Sequence, residues 1–257
     1  MTNFQNEIEF FDRHAEALLN ADCKELIVDK PHKHLAGSTI AFDYMMGRLG
    51  DLTGKTILDV GCGCGWFSVY LIQQGAKRVY GIDISPKMID VAKKRAQINK
   101  VEDRVRFESK VAEEMQISEI FFDLIVGISV LHHIDLATFG NSMKKILKED
   151  GKAFFIEPLG ENKLITFVRD KVHSGIFGIR TEEEKPLTFQ AINVLKNFFI
   201  IQAQEFQLFG SIARYIGETI TSMLGLDALD RFLFKLVPSL KKQCRLVVIE
   251  LTPQKRT

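Results

Sequence analysis

A strand that runs into a glycine-rich turn constrains the fold of this chain more than any other stretch. Residues 57–60 are apolar apart from Asp59, as in a buried strand. Glycine then occupies every second position, at Gly61, Gly63 and Gly65. Because glycine has no side chain to block the approach, such a turn lets backbone N–H groups come close to a ligand. The stretch therefore predicts a strand followed by a ligand-binding turn.

Strands and helices alternate along the chain from residue 55 to residue 156. The pattern predicts strands at residues 57–60, 79–82, 105–107, 122–126 and 153–156, and helices at residues 66–74, from Pro86, and from Phe139 to a stop at Gly151. Alternation at this spacing is typical of parallel βαβ units with helices on both faces of the sheet. Such sheets bind ligands beyond the carboxyl ends of their strands, so the glycine turn and Asp83 are expected at one edge.

The rest of the chain is less regular. Apolar residues at helical spacing predict two helices within residues 1–50 and a helix at residues 191–198. Strands are expected at residues 199–208 and 245–251. Residues 211–237 carry two unusually apolar helical stripes, which fit core packing, a lid or a lipid-facing surface.

Composition and charge argue against several classes of protein. The chain has 257 residues, 46% of them hydrophobic, enough for one large α/β domain or two small ones. Its net charge of +1 argues against nucleic acid as a partner. No signal-peptide pattern and no apolar run of about 18 residues is present, so we expect a cytoplasmic protein without stable membrane insertion, with peripheral lipid contact left open. Cys62 and Cys64 are too close for an ordinary disulfide, and no metal site is predicted.

Three kinds of cofactor bind a glycine-rich turn after the first strand of an α/β sheet. A phosphate-binding P-loop requires G-x-x-x-x-G-K-[S/T], which the chain lacks. A dinucleotide fingerprint requires a small residue at its third position, but Trp66 stands there. Because an indole obstructs the close packing of helix on strand, a NAD(P)-dependent oxidoreductase is kept only as an alternative.

The pattern from Asp59 to Gly65 resembles the first motif of class I S-adenosylmethionine-dependent methyltransferases of the small-molecule type. The resemblance extends over roughly residues 55–157 and includes residues 109–113 and 122–133. It implies S-adenosylmethionine as cofactor and S-adenosylhomocysteine as product. It also implies a Rossmann-like, doubly wound sheet of seven strands, mostly parallel, with an antiparallel final strand.

The resemblance assigns roles to residues around the turn. Asp59 and the backbone of the turn would hold the methionine part of the cofactor, whose amino group is cationic. Asp83 can accept both ribose hydroxyls, because an ionised carboxylate only accepts hydrogen bonds. Val111 stands where the family commonly has Asp, so the adenine would rely on backbone contacts. The predicted cofactor-binding residues are Asp59, Gly61, Cys62, Gly63, Gly65, Asp83, Ile84, Met88, Val111, Ala112, Gly127 and Ser129.

Two histidines, His132 and His133, follow the fourth predicted strand, close to the expected position of the methyl group. In-line methyl transfer requires alignment of the nucleophile and exclusion of water. A neutral imidazole suits a general base when the nucleophile is a protonated oxygen. We therefore predict His132, followed by His133, as catalytic residues, against a purely structural role in the loop. His34 is a further candidate.

The expected function is methyl transfer to a small apolar or aromatic molecule, such as a phenol, a quinone precursor or a secondary metabolite. The chain has no Pro-Cys dipeptide and no Asn/Asp-Pro-Pro-Tyr run, which argues against methylation of cytosine, adenine or glutamine. Residues 1–50 are expected to form a helical substrate cap, and residues 51–257 a methyltransferase domain with helical insertions around residues 158–187 and 210–240 that extend the cap. A non-catalytic cofactor-binding subunit is the non-enzyme alternative. The acceptor atom and the oligomeric state stay open.

Overall fold

The fold is given by a computed structural model that describes residues 2–20, 22–29, 38–115, 121–162, 186–212, 220 and 223–254. The strands are β1 (Thr56–Val60), β2 (Arg78–Asp83), β3 (Val105–Ser109), β4 (Phe122–Ile128), β5 (Leu147–Pro158), β6 (Phe199–Phe206) and β7 (Leu246–Pro253). The α-helices are α1 (Thr2–Leu19), α2 (Thr39–Leu49), α3 (Trp66–Gln73), α4 (Pro86–Ile98), α5 (Leu136–Ile146), α6 (Phe189–Ile192) and α7 (Leu226–Leu236).

The strands form one seven-stranded sheet in the order β3-β2-β1-β4-β5-β7-β6. The first five strands of the chain pair in parallel, whereas β7 runs antiparallel to both of its neighbours, β5 and β6. The predicted Rossmann-like doubly wound sheet with an antiparallel final strand is therefore confirmed. Because β1 lies between β2 and β4, the glycine turn, Asp83 and the residues after Ile128 meet at one edge.

Helices cover both faces of the sheet, which explains why its central strands are almost continuously apolar. Ile57 of β1 packs with Phe42 of α2 and Phe67 of α3 in the core on one face. Its neighbour Leu58 points to the other face and packs in a second core with Phe139 of α5. This alternation of side chains along each strand fixes the register, because a slip of one residue would exchange the two cores.

Side-chain caps set where the site-bearing helices begin. The Ser85 hydroxyl accepts a hydrogen bond from the backbone N–H of Met88, and Pro86 is the first residue of α4. Asp135 caps α5 in the same way by accepting from the N–H of Thr138. Such caps satisfy N–H groups that have no partner within the helix. The predicted start of α4 is confirmed.

Three predicted boundaries are wrong. The helix expected to stop at Gly151 ends at Ile146, because Leu147 adopts an extended backbone and pairs with Phe122 as the first residue of β5. The helix expected at residues 191–198 is α6 followed by a 3₁₀ helix at Asn193–Asn197. The strand expected at residues 199–208 ends at Phe206, because Gln207 has a φ of +66° and turns the chain out of the sheet.

The predicted cap regions are only partly described. Residues 163–185, which make up most of the insertion expected around 158–187, and His34 lie outside the described residues. Within residues 210–240, α7 buries Asp230, whose carboxylate accepts backbone N–H groups of residues 208–210. Leu229, Phe232 and Leu236 are 41–62% exposed, so packing within the described chain does not account for this apolar stripe. None of the helices in the described ranges is both long and apolar enough to cross a membrane.

Replacement of the fully buried Phe154 of β5 by alanine should lower the free energy of unfolding by about 3–5 kcal/mol, because a cavity remains in the core. Urea denaturation of the purified protein measures this loss. Ile200→Ala on the edge strand β6 is the matched control, since Ile200 is 55% exposed and its truncation should cost no more than ~0.5 kcal/mol. Equal losses in the two variants would contradict the assignment of the core.

Candidate active site

A cavity of about 400 Å³ lies at the carboxyl edge of the sheet, where the prediction placed a ligand. Its floor is formed by the glycine turn, and its walls by residues 110–113 and by residues 128–134 after β4. Helix α1 closes one side with Glu7, Phe10 and Phe11. The predicted site residues that line this cavity are Gly61, Cys62, Gly63, Asp83, Ile84, Met88, Val111, Ala112, Ser129, His132 and His133.

Three predicted cofactor-binding residues lie outside the cavity lining. Gly65 directly precedes α3 and has a φ of +75°, and a Cβ there would come within 2.7 Å of the Ala92 Cβ. A Cβ on Gly127 would come within 2.7 Å of Val130. These glycines are required by close packing behind the wall of the cavity. Direct contact of Gly65, Gly127 and Asp59 with a cofactor stays a prediction.

Asp83 ties the glycine turn to the end of β2. One carboxylate oxygen accepts a hydrogen bond from the N–H of Gly63 at 2.8 Å, and the other accepts from the N–H of Ser85 at 2.9 Å. Burial raises the pKa of the Asp83 carboxyl, while the backbone hydrogen bonds from Ser85, Gly63 and Ile84 and the nearby His133 oppose this shift. Each oxygen of an ionised carboxylate can accept more than one hydrogen bond, so Asp83 retains acceptor capacity toward the cavity.

Asp59 lies in β1, just before the turn, and does not line the cavity. It is 2% exposed, and its carboxylate accepts a hydrogen bond from the Ser68 hydroxyl at 2.6 Å. Burial raises the pKa of Asp59 to about 7, and the neighbouring charge of Asp83 contributes to this rise. The carboxyl groups of Asp59 and Asp83 thus lie close enough to influence each other, and a positively charged ligand near them would relieve the repulsion between their ionised forms.

Helix α1 is attached to the edge of the sheet by polar contacts. Its Glu7 carboxylate lies 2.8 Å from His133 Nδ1, and its Asp12 carboxylate accepts a hydrogen bond from the Ser85 hydroxyl. Phe11 stands edge-on to the His133 ring at a centroid separation of 6.4 Å. These contacts place α1 against the cavity, which Phe10 and Phe11 line.

Glu157, at the end of β5, was missed by the sequence analysis. Its side chain is fully buried, and one oxygen accepts hydrogen bonds from the N–H groups of Val130 and Leu131, both at 2.8 Å. The other oxygen lies 2.7 Å from Nδ1 of His132. Glu157 therefore fixes both the loop after β4 and the orientation of the His132 ring. The only sign of Glu157 in the sequence was its place as an acidic residue directly after the apolar run of residues 153–156.

The loop after β4 also contains a strained residue. Ser129 has a φ of +56°, a conformation that costs a non-glycine residue on the order of 1–3 kcal/mol. Its N–H donates to the carbonyl oxygen of Ile156 at 2.8 Å, which holds the loop against β5. Ser129 lines the cavity, so the strain falls on a residue of the predicted site.

Comparisons with known proteins agree with this geometry. Residues 58–155 match a protein family that is described as a methyltransferase domain. The chain is 33% identical over 118 residues to the ubiquinone biosynthesis O-methyltransferase of Neisseria meningitidis serogroup A, covering 45% of this chain and 49% of that protein. It is 36% identical over 104 residues to protein arginine N-methyltransferase 1 of Schizosaccharomyces pombe, covering 39% and 30%. The chain thus spans half or less of the length of these curated relatives.

A solved structure extends the likeness of the fold beyond the matched residues. The geranyl diphosphate C-methyltransferase of Streptomyces coelicolor A3(2), crystallised with S-adenosyl-L-homocysteine, superposes with a TM-score of 0.57. The alignment covers 84% of this chain and 79% of that one at 16% identity, a level that supports likeness of fold only.

The sheet order, the cavity at its carboxyl edge and the family match together define the class. The chain contains a class I S-adenosylmethionine-dependent methyltransferase domain. S-adenosylmethionine is the cofactor of that class, and the relatives named above are methyltransferases that act on different acceptors. The shared part of the chain is therefore the part around the predicted cofactor site.

The raised pKa of Asp59 predicts a pH-dependent stability. A carboxyl group with a pKa of about 7 in the folded state and 3.8 when unfolded binds its proton more tightly when folded. The stability contributed by protonated Asp59 is therefore lost as the pH rises from about 4 to about 7. Asp59→Asn removes this titration, so the wild-type free energy of unfolding should fall relative to that of the variant across this window.

Urea denaturation between pH 4.5 and pH 8 tests this dependence. The exposed Asp90→Asn serves as control, and its stability should follow that of the wild type at every pH. A constant difference between wild type and Asp59→Asn would show that Asp59 is ionised throughout the window.

Proposed function

We propose that this protein transfers the methyl group of S-adenosylmethionine to a small apolar or aromatic molecule, such as a phenol, by in-line displacement. The observation that carries the proposal is Asp83, held at the carboxyl end of β2 by the N–H groups of Gly63 and Ser85 and facing a cavity of about 400 Å³. This position suits an acceptor for the two ribose hydroxyls of a nucleoside.

The residues present fit the cofactor. Asp83 would accept the ribose hydroxyls, and the turn from Gly61 to Gly63 would follow the methionine part. Two carboxylates near the turn favour a ligand that carries positive charge, as the sulfonium and amino groups do. Val111 and Ala112 would flank the adenine, and Ile84, Met88 and Ser129 would complete the predicted cofactor contacts; all five residues line the cavity.

The cofactor supplies a methyl group on a positively charged sulfur, so the protein mainly aligns the acceptor and excludes water. Phe10 and Phe11 of α1 would shield the reacting atoms from solvent. His132, held by Glu157, is the proposed general base. His133 contacts Glu7 through Nδ1, so we propose that it mainly fixes α1 over the cavity.

This arrangement also suggests a division of the chain. We propose that α1 is the cap within residues 1–50, since it lines the cavity, while α2 packs in the core against the sheet. Residues 51–257 would form the methyltransferase domain. The part of the cap expected around residues 158–187 and 210–240 stays a proposal that rests on the position of these residues in the family's pattern.

Replacement of Asp83 by asparagine should weaken the binding of S-adenosylmethionine roughly 10- to 100-fold, because hydrogen bonds to a charged acceptor contribute about 1.5–3 kcal/mol. The NH₂ group of the asparagine would also face one of the two backbone N–H groups, of Gly63 and Ser85, that now donate to the carboxylate. Titration calorimetry with S-adenosylmethionine, S-adenosylhomocysteine and NAD measures the affinities. Asp90→Asn on the exposed side of α4 is the control and should bind as the wild type does.

The same titrations separate the competing functions. Binding of NAD without binding of either sulfur compound would replace the proposal by a NAD(P)-dependent oxidoreductase. Equal affinity of wild type and Asp83→Asn would show that the ribose lies elsewhere. Binding of S-adenosylmethionine without methyl transfer to any member of a panel of phenols, amines and carboxylates would favour a non-catalytic subunit.

A further inference from the structure

The apolar stripe of α7 belongs neither to the core nor to the lining of the cofactor cavity. Leu229, Phe232 and Leu236 lie on one side of the helix and are 41–62% exposed. Just before the helix, Met223 and Leu224 are also exposed, Met223 to 82%. Single exposed apolar side chains are normal on a protein surface, but a group of large ones marks a site of interaction. The stripe is therefore a candidate docking surface.

The acidic side chains of α7 point away from the stripe. Asp230 is 3% exposed, and its carboxylate accepts hydrogen bonds from the backbone N–H groups of residues 208–210. The Asp227 carboxylate lies on the same side of the helix, since a Cβ on Gly210 would come within 2.8 Å of its Oδ1. Both negative charges of α7 therefore face the protein, on the side opposite the stripe.

Basic side chains border the stripe instead. Arg231 and Lys235 are exposed, and Lys235 lies one helical turn from Phe232. Lys241 and Lys242 follow in a short 3₁₀ helix that packs against α7. None of these four cations forms an ion pair with a described residue. The surface thus combines exposed apolar side chains with positive charge.

Helix α7 lies at the edge of the sheet that carries the cofactor cavity. Leu246 of β7 pairs both with Pro158, the last residue of β5, and with Phe206, the last residue of β6. The strands β5 and β6 therefore end at the same level, and Asp230 holds α7 directly after the end of β6. A partner bound to the stripe would lie beside this edge.

We propose that the apolar stripe of α7 and the four cations beside it bind the surface of a membrane that contains anionic lipids. An amphipathic helix with basic residues beside its apolar face lies in the plane of the bilayer surface, with the apolar side chains below the headgroups. The cations then meet the negative charge of the headgroups. A protein partner would need a groove that is both apolar and acidic, whereas such a bilayer offers both features to any orientation of the helix. The inference is independent of the proposed methyl transfer.

The first test is sedimentation of the full chain with lipid vesicles. Vesicles of equal parts phosphatidylcholine and phosphatidylserine should bind the wild type at least ~10-fold more tightly than vesicles of phosphatidylcholine alone, because cations near an anionic surface add to the affinity. Added sodium chloride should weaken this binding, because salt screens the charges. Equal binding to both kinds of vesicle, or binding to neither, would overturn the proposal.

The second test changes the stripe itself. Replacement of both Phe232 and Leu236 by glutamate should weaken binding to the anionic vesicles at least ~10-fold, because the stripe loses apolar area and gains negative charge. Ile200→Glu is the matched control, since Ile200 is 55% exposed but lies near the start of β6, far along the strand from α7. The control should bind the vesicles nearly as the wild type does. Equal binding by the double variant and the wild type would contradict the role of the stripe.

The cations are tested separately from the stripe. Replacement of both Arg231 and Lys235 by glutamine should remove most of the preference for anionic over neutral vesicles while the stripe stays intact. An unchanged preference would show that the charges beside the stripe do not meet the lipid.

Other occupants of the stripe give different results. If the stripe packs within the chain, the double glutamate variant should unfold in urea far more easily than Ile200→Glu, and the wild type should not bind vesicles. If a second copy of the chain covers the stripe, sedimentation velocity should show a wild-type dimer that the double variant dissociates, again without binding to vesicles. Either result would overturn the proposal. Calorimetry with S-adenosylmethionine should give the same affinity for all variants, so this proposal and the proposed function fail independently.

Discussion

Buried carboxylates that accept backbone N–H groups hold the loops of this protein in place. Asp83 binds the glycine turn and the start of α4, and Glu157 binds the loop after β4. Loops at the end of a sheet have no partner strand for their N–H groups, and an unpaired N–H that is buried is costly. Each carboxylate therefore serves both the fold and the site, since the loop that it fixes is also a wall of the cavity. The orientation of the His132 ring depends directly on this support, through its contact with Glu157.

The part of the site that is local in sequence could be predicted. Gly61, Gly63 and Asp83 belong to a short strand–turn–helix–strand unit whose period and turn residues are visible in the chain. The parallel pairing of the first strands follows from the same alternation, whereas the antiparallel final strand was implied by the resemblance to the family. The role of Glu157 could not be assigned from the sequence. Its partners Val130, Leu131 and His132 lie 25–27 residues away along the chain, and only the pairing of β5 with β4 brings them together. The cavity of about 460 Å³ that Leu131 and Val194 line could not be predicted for the same reason, because these residues approach each other only in the folded chain.

The predicted boundaries of helices and strands were wrong where strand pairing in the folded protein overrode the local preference of the sequence. Apolar spacing around Ile146 and Leu147 favours a continued helix, yet Leu147 pairs with Phe122 and the chain becomes a strand at once. The spacing of apolar residues also did not decide whether the stripe on α7 packs in the core, forms a lid or faces lipid. Its Leu229, Phe232 and Leu236 are exposed in the structure, so helical periodicity marked an apolar face correctly but carried no information about what it contacts.

The place of β7 has a consequence for the order in which the protein matures. β7 is the last strand described along the chain, yet it lies between β5 and β6, and its Val247 stands opposite Glu157. During synthesis, β5 keeps an open hydrogen-bonding edge until residues 246–253 have left the ribosome, and an open apolar edge invites pairing with other chains. A chain interrupted before β7 would carry the whole cofactor motif and still lack the strand that completes the support of its proposed base. The edge of β5 beside Glu157 is therefore covered only after residues 246–253 have been synthesised.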